Sequence, residues 1–164
     1  MIKLQRWITT CVLVLAGTVL LVVVTTVFLQ VVFRYVLARP LAWSVETARF
    51  LFTWGSMLGA AGGAVGLLNQ SIDLLTRKLP QWFQKPIDLL ARLVTVGTSL
   101  VLFFTGWELT GRVYRQTSSA LGIRMSYVYA AVPVGLFFII VLVVLDTWNS
   151  YGRPAGGRTA SRTT

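Results

Sequence analysis

The sequence predicts an all-α integral membrane protein with four transmembrane helices and short interfacial amphipathic segments. Three observations carry that expectation. Of 164 residues, 55% are hydrophobic and only 12% charged, with a mean hydropathy of +0.73, whereas a soluble domain carries about a quarter charged residues. Four long stretches contain no charge at all. Trp7, Trp43, Trp107 and Trp148 lie near the ends of those stretches, where an amphipathic indole prefers the headgroup region.

The first uncharged run, Trp7 to Phe33, has 27 residues, and at about 1.5 Å per residue it exceeds a hydrocarbon core of roughly 30 Å. A secretory signal has a shorter apolar region and a small-residue cleavage site, so this run is expected to be an uncleaved anchor. The second and fourth runs, Phe50 to Ile72 and Met125 to Leu145, are also long enough to span. The third, Leu93 to Trp107, reaches that length once Pro86 is taken as a first-turn proline and Ile87, Leu89, Leu90 and Ala91 are added before Arg92. The expected spans are 7–33, 44–68, 86–112 and 125–148, in a single domain over 1–152.

Between the second and third spans, Ile72, Leu75 and Leu79 at helical spacing, then Pro80, Trp82 and Phe83, suggest a short helix in the interface. The stretch Arg34 to Arg49 mixes Tyr35, Leu37, Leu41 and Trp43 with arginines and Glu46, and should also hug the surface. Residues 153–164 are rich in Gly, Ser, Thr and Arg and are expected to be a disordered tail. No internal repeat is present.

The +10 net charge comes from 15 Lys and Arg against 5 Asp and Glu. These cations punctuate apolar runs instead of forming one basic stripe, which argues against nucleic-acid binding and for topology signals. With both ends inside, Lys3, Arg6, Arg77, Lys78, Lys85, Arg92, Arg153, Arg158 and Arg162 would be cytoplasmic, and Arg34, Arg39, Arg49, Arg112, Arg115 and Arg124 would lie outside. Nine against six places both termini in the cytoplasm.

Histidine is absent and Cys11 is the single cysteine, which removes bis-histidine haem, Cys/His zinc sites, histidine-based nucleophilic pairs and any internal disulfide. No catalytic, cofactor or metal site is expected, and the chain is not expected to be an enzyme. Glu46, Asp73, Asp88, Glu108 and Asp146 all lie near a span end or in a loop, whereas an ion-coupled carrier keeps an ionisable or unwound polar site near the midplane. Thr25, Thr26, Gln30, Thr95, Thr98, Ser99 and Thr105 are neutral, and interhelical or back-to-backbone hydrogen bonds account for them best.

Gly55, Gly59, Gly62 and Gly66 follow the 4-3-4 spacing of one helix face. Missing side chains let a second helix approach, either from this chain or from another subunit. Trp43, Glu46 and Arg49 share helical spacing, so Glu46 and Arg49 can pair at i, i+3, as a solvated boundary pair or in contact with a partner or lipid headgroup. Glu108 and Arg112 form an i, i+4 pair, and with Arg115 and Arg124 they make a basic edge suited to phospholipid or to an acidic protein.

These residues resemble the small, DctQ-type membrane subunit of tripartite ATP-independent periplasmic (TRAP) transporters. The resemblance rests on Phe33-Arg34-Tyr35, then Trp43, Glu46 and Arg49, then Leu58-Gly59-Ala60-Ala61 in the region of the first two helices. Asp73-Leu74-Leu75 and Leu79-Pro80 resemble the family's interfacial segment. Ser119-Ala120-Leu121-Gly122-Ile123, Tyr129 and Pro133-Val134-Gly135 resemble the entry to its last helix, and the likeness covers about residues 5 to 148. Asn69 stands where the family often has histidine, and Arg124 where it often has proline.

The resemblance implies a scaffold subunit in a bacterial inner membrane. Its partners would be a large permease that carries sodium-coupled transport of organic acids, a periplasmic substrate-binding protein, and membrane phospholipid. Two other classes fit less well. A self-sufficient small multidrug carrier would need an intramembrane carboxylate, which the first span lacks. A membrane enzyme would have only Ser, Lys, Asp and Glu to work with.

Overall fold

A computed structural model describes residues 2–37, 42–76 and 81–151. Arg39, Leu41, Arg77, Lys78, Leu79, Pro80 and the expected tail at 153–164 lie outside the described residues. Helix α1 runs Ile2–Tyr35, α2 Ala42–Thr76 and α3 Gln81–Arg112; a 3-10 turn, Val113–Arg115, follows, and then α4 at Met125–Tyr129 and α5 at Ala131–Tyr151. The stretches long and apolar enough to cross a membrane are Gln5–Tyr35, Trp43–Ile72, Pro86–Arg115 and Met125–Ser150, the last combining α4 and α5. Among the described residues no strand forms, only one antiparallel bridge between Thr117 and Arg124.

Apolar residues ring these helices on nearly every side, as expected where lipid or another membrane subunit is the neighbour. The hydroxyls of Thr18, Thr25, Thr26, Thr95 and Thr105 each donate to the carbonyl four residues back. That satisfies their donors within their own helix.

The segment between the second and third spans is built from helix ends. Asn69 to Thr76 continues α2, and Gln81 to Lys85 opens α3. Pro86, expected in a first turn, is instead the sixth residue of α3. Its missing amide removes one bond just past the helix start, which interrupts nothing further along. Pro133 has no amide to give the Tyr129 carbonyl, and α4 passes into α5 near this point, with Ala130 and Val134 amides bonded to the Ser126 and Ala130 carbonyls at 2.9 and 3.2 Å.

Helices α2 and α5 form the central pair. Helix α1 lies along α2 and α3 lies along α5, and α1 and α3 do not meet among the described residues. The core joins Val12 and Ala16 of α1 to Leu58 and Ala61 of α2, with Ile8, Phe138 and Ile139 against them. Small residues set the approach distances. A Cβ added at Gly135 would lie 2.9 Å from the Met57 Cβ and 3.1 Å from its carbonyl oxygen, so α2 and α5 cross in near-backbone contact there. Along α3 and into the 3-10 turn that follows, the buried residues Arg92, Ser99, Gly106 and Val113 recur every seven residues, a stripe two turns apart that faces the bundle.

Candidate functional site

The helices alternate in direction, so one end of the bundle gathers the N-terminus of α1, the C-terminus of α2, the start of α3 and the end of α5. Its centre is Arg92, whose side chain is 6% exposed. Arg92 Nη1 donates to Asp146 Oδ2 at 2.7 Å and to Thr147 Oγ1 at 3.3 Å, Nη2 to Asn69 Oδ1 at 2.8 Å, and Nε to Asp88 Oδ1 at 2.9 Å. Asp146 also accepts from Gln5 Nε2 at 3.0 Å and Asn69 Nδ2 at 3.3 Å, and Asn149 Nδ2 donates to Gln5 Oε1 at 2.9 Å. Every long helix contributes. A guanidinium taken out of water needs this density of acceptors, because a stranded buried charge costs about 3–5 kcal/mol.

This cluster is what the sequence reading missed: Arg92 falls inside the expected span 86–112 but counts there as a cytoplasmic topology cation, yet it is a buried ion-pair partner. A signal was present. Asp88 stands one helical turn before Arg92, and Asp146 ends a span at the same side of the membrane.

The opposite end holds a second cluster. Residues 116–124 fold back as a tight hairpin, with Met125 N bonded to Gln116 O at 2.9 Å, Ser118 N to Ile123 O at 2.8 Å and Gly122 N to Ser118 O at 3.1 Å. Gly122 takes φ +65°, a left-handed conformation that glycine adopts without a Cβ penalty. Such a turn leaves amides at its tip without a backbone acceptor in the loop, although Leu121 N also reaches Ser118 Oγ at 3.4 Å. Glu46 of α2 accepts them: Ala120 N lies 3.2 Å and Leu121 N 3.1 Å from Oε2, Ser119 Oγ lies 3.3 Å from Oε1, and Ser118 Oγ also donates to the carboxylate. Trp54 Nε1 donates to the Tyr127 carbonyl at 3.2 Å and ties α2 to α4 nearby.

The anticipated Glu46 to Arg49 pair therefore does not form. A carboxylate facing two amides and two hydroxyls held by one turn is better satisfied than by a long exposed side chain that must be immobilised. Arg49 and Trp43 are exposed. Arg112 and Glu108 do pair, at 2.6 Å, on the exposed surface. The Arg124 guanidinium stacks over the Tyr114 ring at 4.5 Å and donates to its hydroxyl, and Arg34 lies over the Tyr35 ring at 5.8 Å. Arg115 is exposed beside them in the chain.

The glycine face of α2 meets α1 over most of its length. A Cβ on Gly62 would lie 2.7 Å from Leu13 Cδ2, one on Gly55 3.1 Å from Val19 Cγ1, and one on Gly59 4.0 Å from Ala16 Cβ, whereas Gly66 has open space around it.

The sequence model for the family described as tripartite ATP-independent periplasmic transporters, DctQ component, matches residues 23–152. The chain belongs to that family. It is 22% identical over 150 residues to a Haemophilus influenzae protein named as a TRAP transporter small permease protein, covering 90% of this chain and 91% of the relative. It is 30% identical over 114 residues to the sialic acid TRAP transporter small permease protein SiaQ of Vibrio cholerae, covering 68% and 64% of the two chains. It is also 26% identical over 132 residues to the sialic acid TRAP transporter permease protein SiaT of Haemophilus influenzae, which spans 80% of this chain but 20% of that relative. The protein is thus a multi-pass membrane subunit of a transporter and not an enzyme, and it works with a large permease subunit.

Proposed function

We propose that this chain is the scaffold subunit of a sodium-coupled importer of organic acids, standing beside a large permease that carries substrate and ion. The observation that carries this reading is where the ionisable groups sit. Arg92, Asp88 and Asp146 are consumed in holding four helices together, and Glu46 in holding a loop. A coupling site needs polar groups free to bind and release an ion near the midplane, and here the threonine hydroxyls named above are bonded to their own helices. The match to one fifth of SiaT supports a position against a permease, since there a segment like this chain is joined to a much longer one. Two relatives are named for sialic acid, a carboxylic acid, which supports an organic-acid substrate class.

The family description supports a periplasmic binding protein as third partner and the bacterial inner membrane as location. In that setting the Arg92 end is cytoplasmic, with both termini, and the Glu46 end is periplasmic. Trp43, Arg34, Arg49, Arg115 and Arg124 then stand at the outer interface, where an arginine can reach lipid phosphate. The test is uptake in cells lacking the native system and supplied with this chain, its permease and its binding protein. Uptake of an organic acid should require all three and should collapse when sodium is replaced by a bulky cation. Undiminished uptake without this chain would contradict the subunit role, and sodium-independent uptake would contradict the coupling.

A further inference from the structure

The Arg92 cluster has a property that hydrogen-bond satisfaction alone does not require. Arg92 lies six residues inside the span that starts at Pro86, about 9 Å along the helix axis. An isolated helix would slide or snorkel to return that guanidinium to water. Its two carboxylate partners differ in what they can prevent. Asp88 is on α3 itself, one turn away, and moves with Arg92 wherever α3 goes. Asp146 is on α5, beside the fully buried Leu142 and Val143, and does not move with α3. At the far end Glu46 holds the hairpin tip at Ser118 to Leu121, several residues beyond α3, and so acts on α3 only through a loop.

We infer that the Arg92 to Asp146 ion pair is a depth lock: it fixes how far α3 sits in the membrane against α5, a task the Arg92 to Asp88 pair cannot perform. Asn69 and Gln5 hold the Asp146 carboxylate in place from α2 and α1, so the depth of α3 is referred to the whole bundle. Without Asp146, α3 shifts toward the end at which Arg92 reaches water and carries the start of the hairpin with it.

The test uses the full chain in native membranes, in a Cys11→Ser background, with Leu93→Cys as a reporter. Leu93 is exposed on the outside of α3, next to Arg92. A membrane-impermeant maleimide applied from the Arg92 side should label it slowly, because a thiol in hydrocarbon does not ionise. Asp146→Asn is expected to raise that labelling rate severalfold, Asp88→Asn to leave it near the starting value, and Asp146→Glu to keep it low. Adding Arg92→Gln to Asp146→Asn should return it to the starting value, since no charge then draws α3 outward.

Unchanged labelling in Asp146→Asn overturns the inference, as does an equal rise in Asp88→Asn. A double variant as reactive as Asp146→Asn would mean general loosening and also overturns it. A second reporter, Leu100→Cys, sits deeper on α3 and should stay unlabelled throughout; its labelling in Asp146→Asn would mean loss of the fold in place of a shift and overturns the inference. Should Asp146→Asn fail to accumulate, adding Arg92→Gln is expected to restore it, and no restoration overturns the inference.

Discussion

Glu46 and Gly135 show how single residues set contacts that their own neighbours in sequence do not reveal. Glu46 holds the hairpin 116–124 by accepting amides that find no backbone carbonyl within the turn. Glu46→Ala should open the hairpin, seen as faster proteolytic nicking within 116–124 from the membrane face that carries Glu46, and Glu46→Gln should do so less because its amide oxygen still accepts. Gly135 faces the Met57 backbone, which cannot rotate away as a side chain can. Gly135→Ala should therefore destabilise the purified chain by roughly 1–3 kcal/mol, the usual cost of overpacking. Gly62→Ala meets side chains alone, the half-exposed Leu13 at 2.7 Å and Val12 Cγ1 at 3.6 Å, and should cost less; Gly66→Ala meets nothing and should be neutral or slightly stabilising. Thermal unfolding in one detergent ranks the three, and a Gly135→Ala protein as stable as wild type would contradict the close crossing of α2 and α5.

At the scale of elements, the four helices were legible because a bilayer demands long uncharged stretches and the chain supplies four of them. The interhelical ties were not. Glu46 bonds residues more than seventy positions away, and Arg92, although inside the expected span 86–112, counts in the sequence as a cytoplasmic boundary cation because the third uncharged run begins only at Leu93. Depth along a helix is a tertiary quantity, so a count of residues between charges does not report it. The glycine spacing on α2 was readable, yet the close approach to another helix's backbone involves Gly135, which no spacing singles out.

The same distinction predicts how two polar pairs behave. Asn69→Leu leaves one Arg92 donor unbonded beside Asp146 and should cost about 1–3 kcal/mol in a denaturant titration. The exposed Arg112 to Glu108 pair should contribute no more than about 0.5 kcal/mol. An Asn69→Leu loss no larger than that of Glu108→Gln would mean the inner cluster is as well hydrated as the surface.

For the whole molecule, the two polar clusters close opposite ends of a bundle whose middle is apolar. Taking buried Arg92 out of the charge count leaves eight cations against six, and the expected orientation is unchanged. Reporters inserted after Ser150 and between Gln116 and Ser119 should read opposite sides, with the former cytoplasmic; the reverse result would put Arg92 and Asp146 at the outer surface. The reading as a subunit that organises transport without performing it is tested most directly in liposomes under a sodium gradient, with binding protein and a panel of organic acids outside. Vesicles holding this chain alone should accumulate no substrate, and vesicles holding it together with its permease should. Substrate accumulation by this chain alone would contradict that reading.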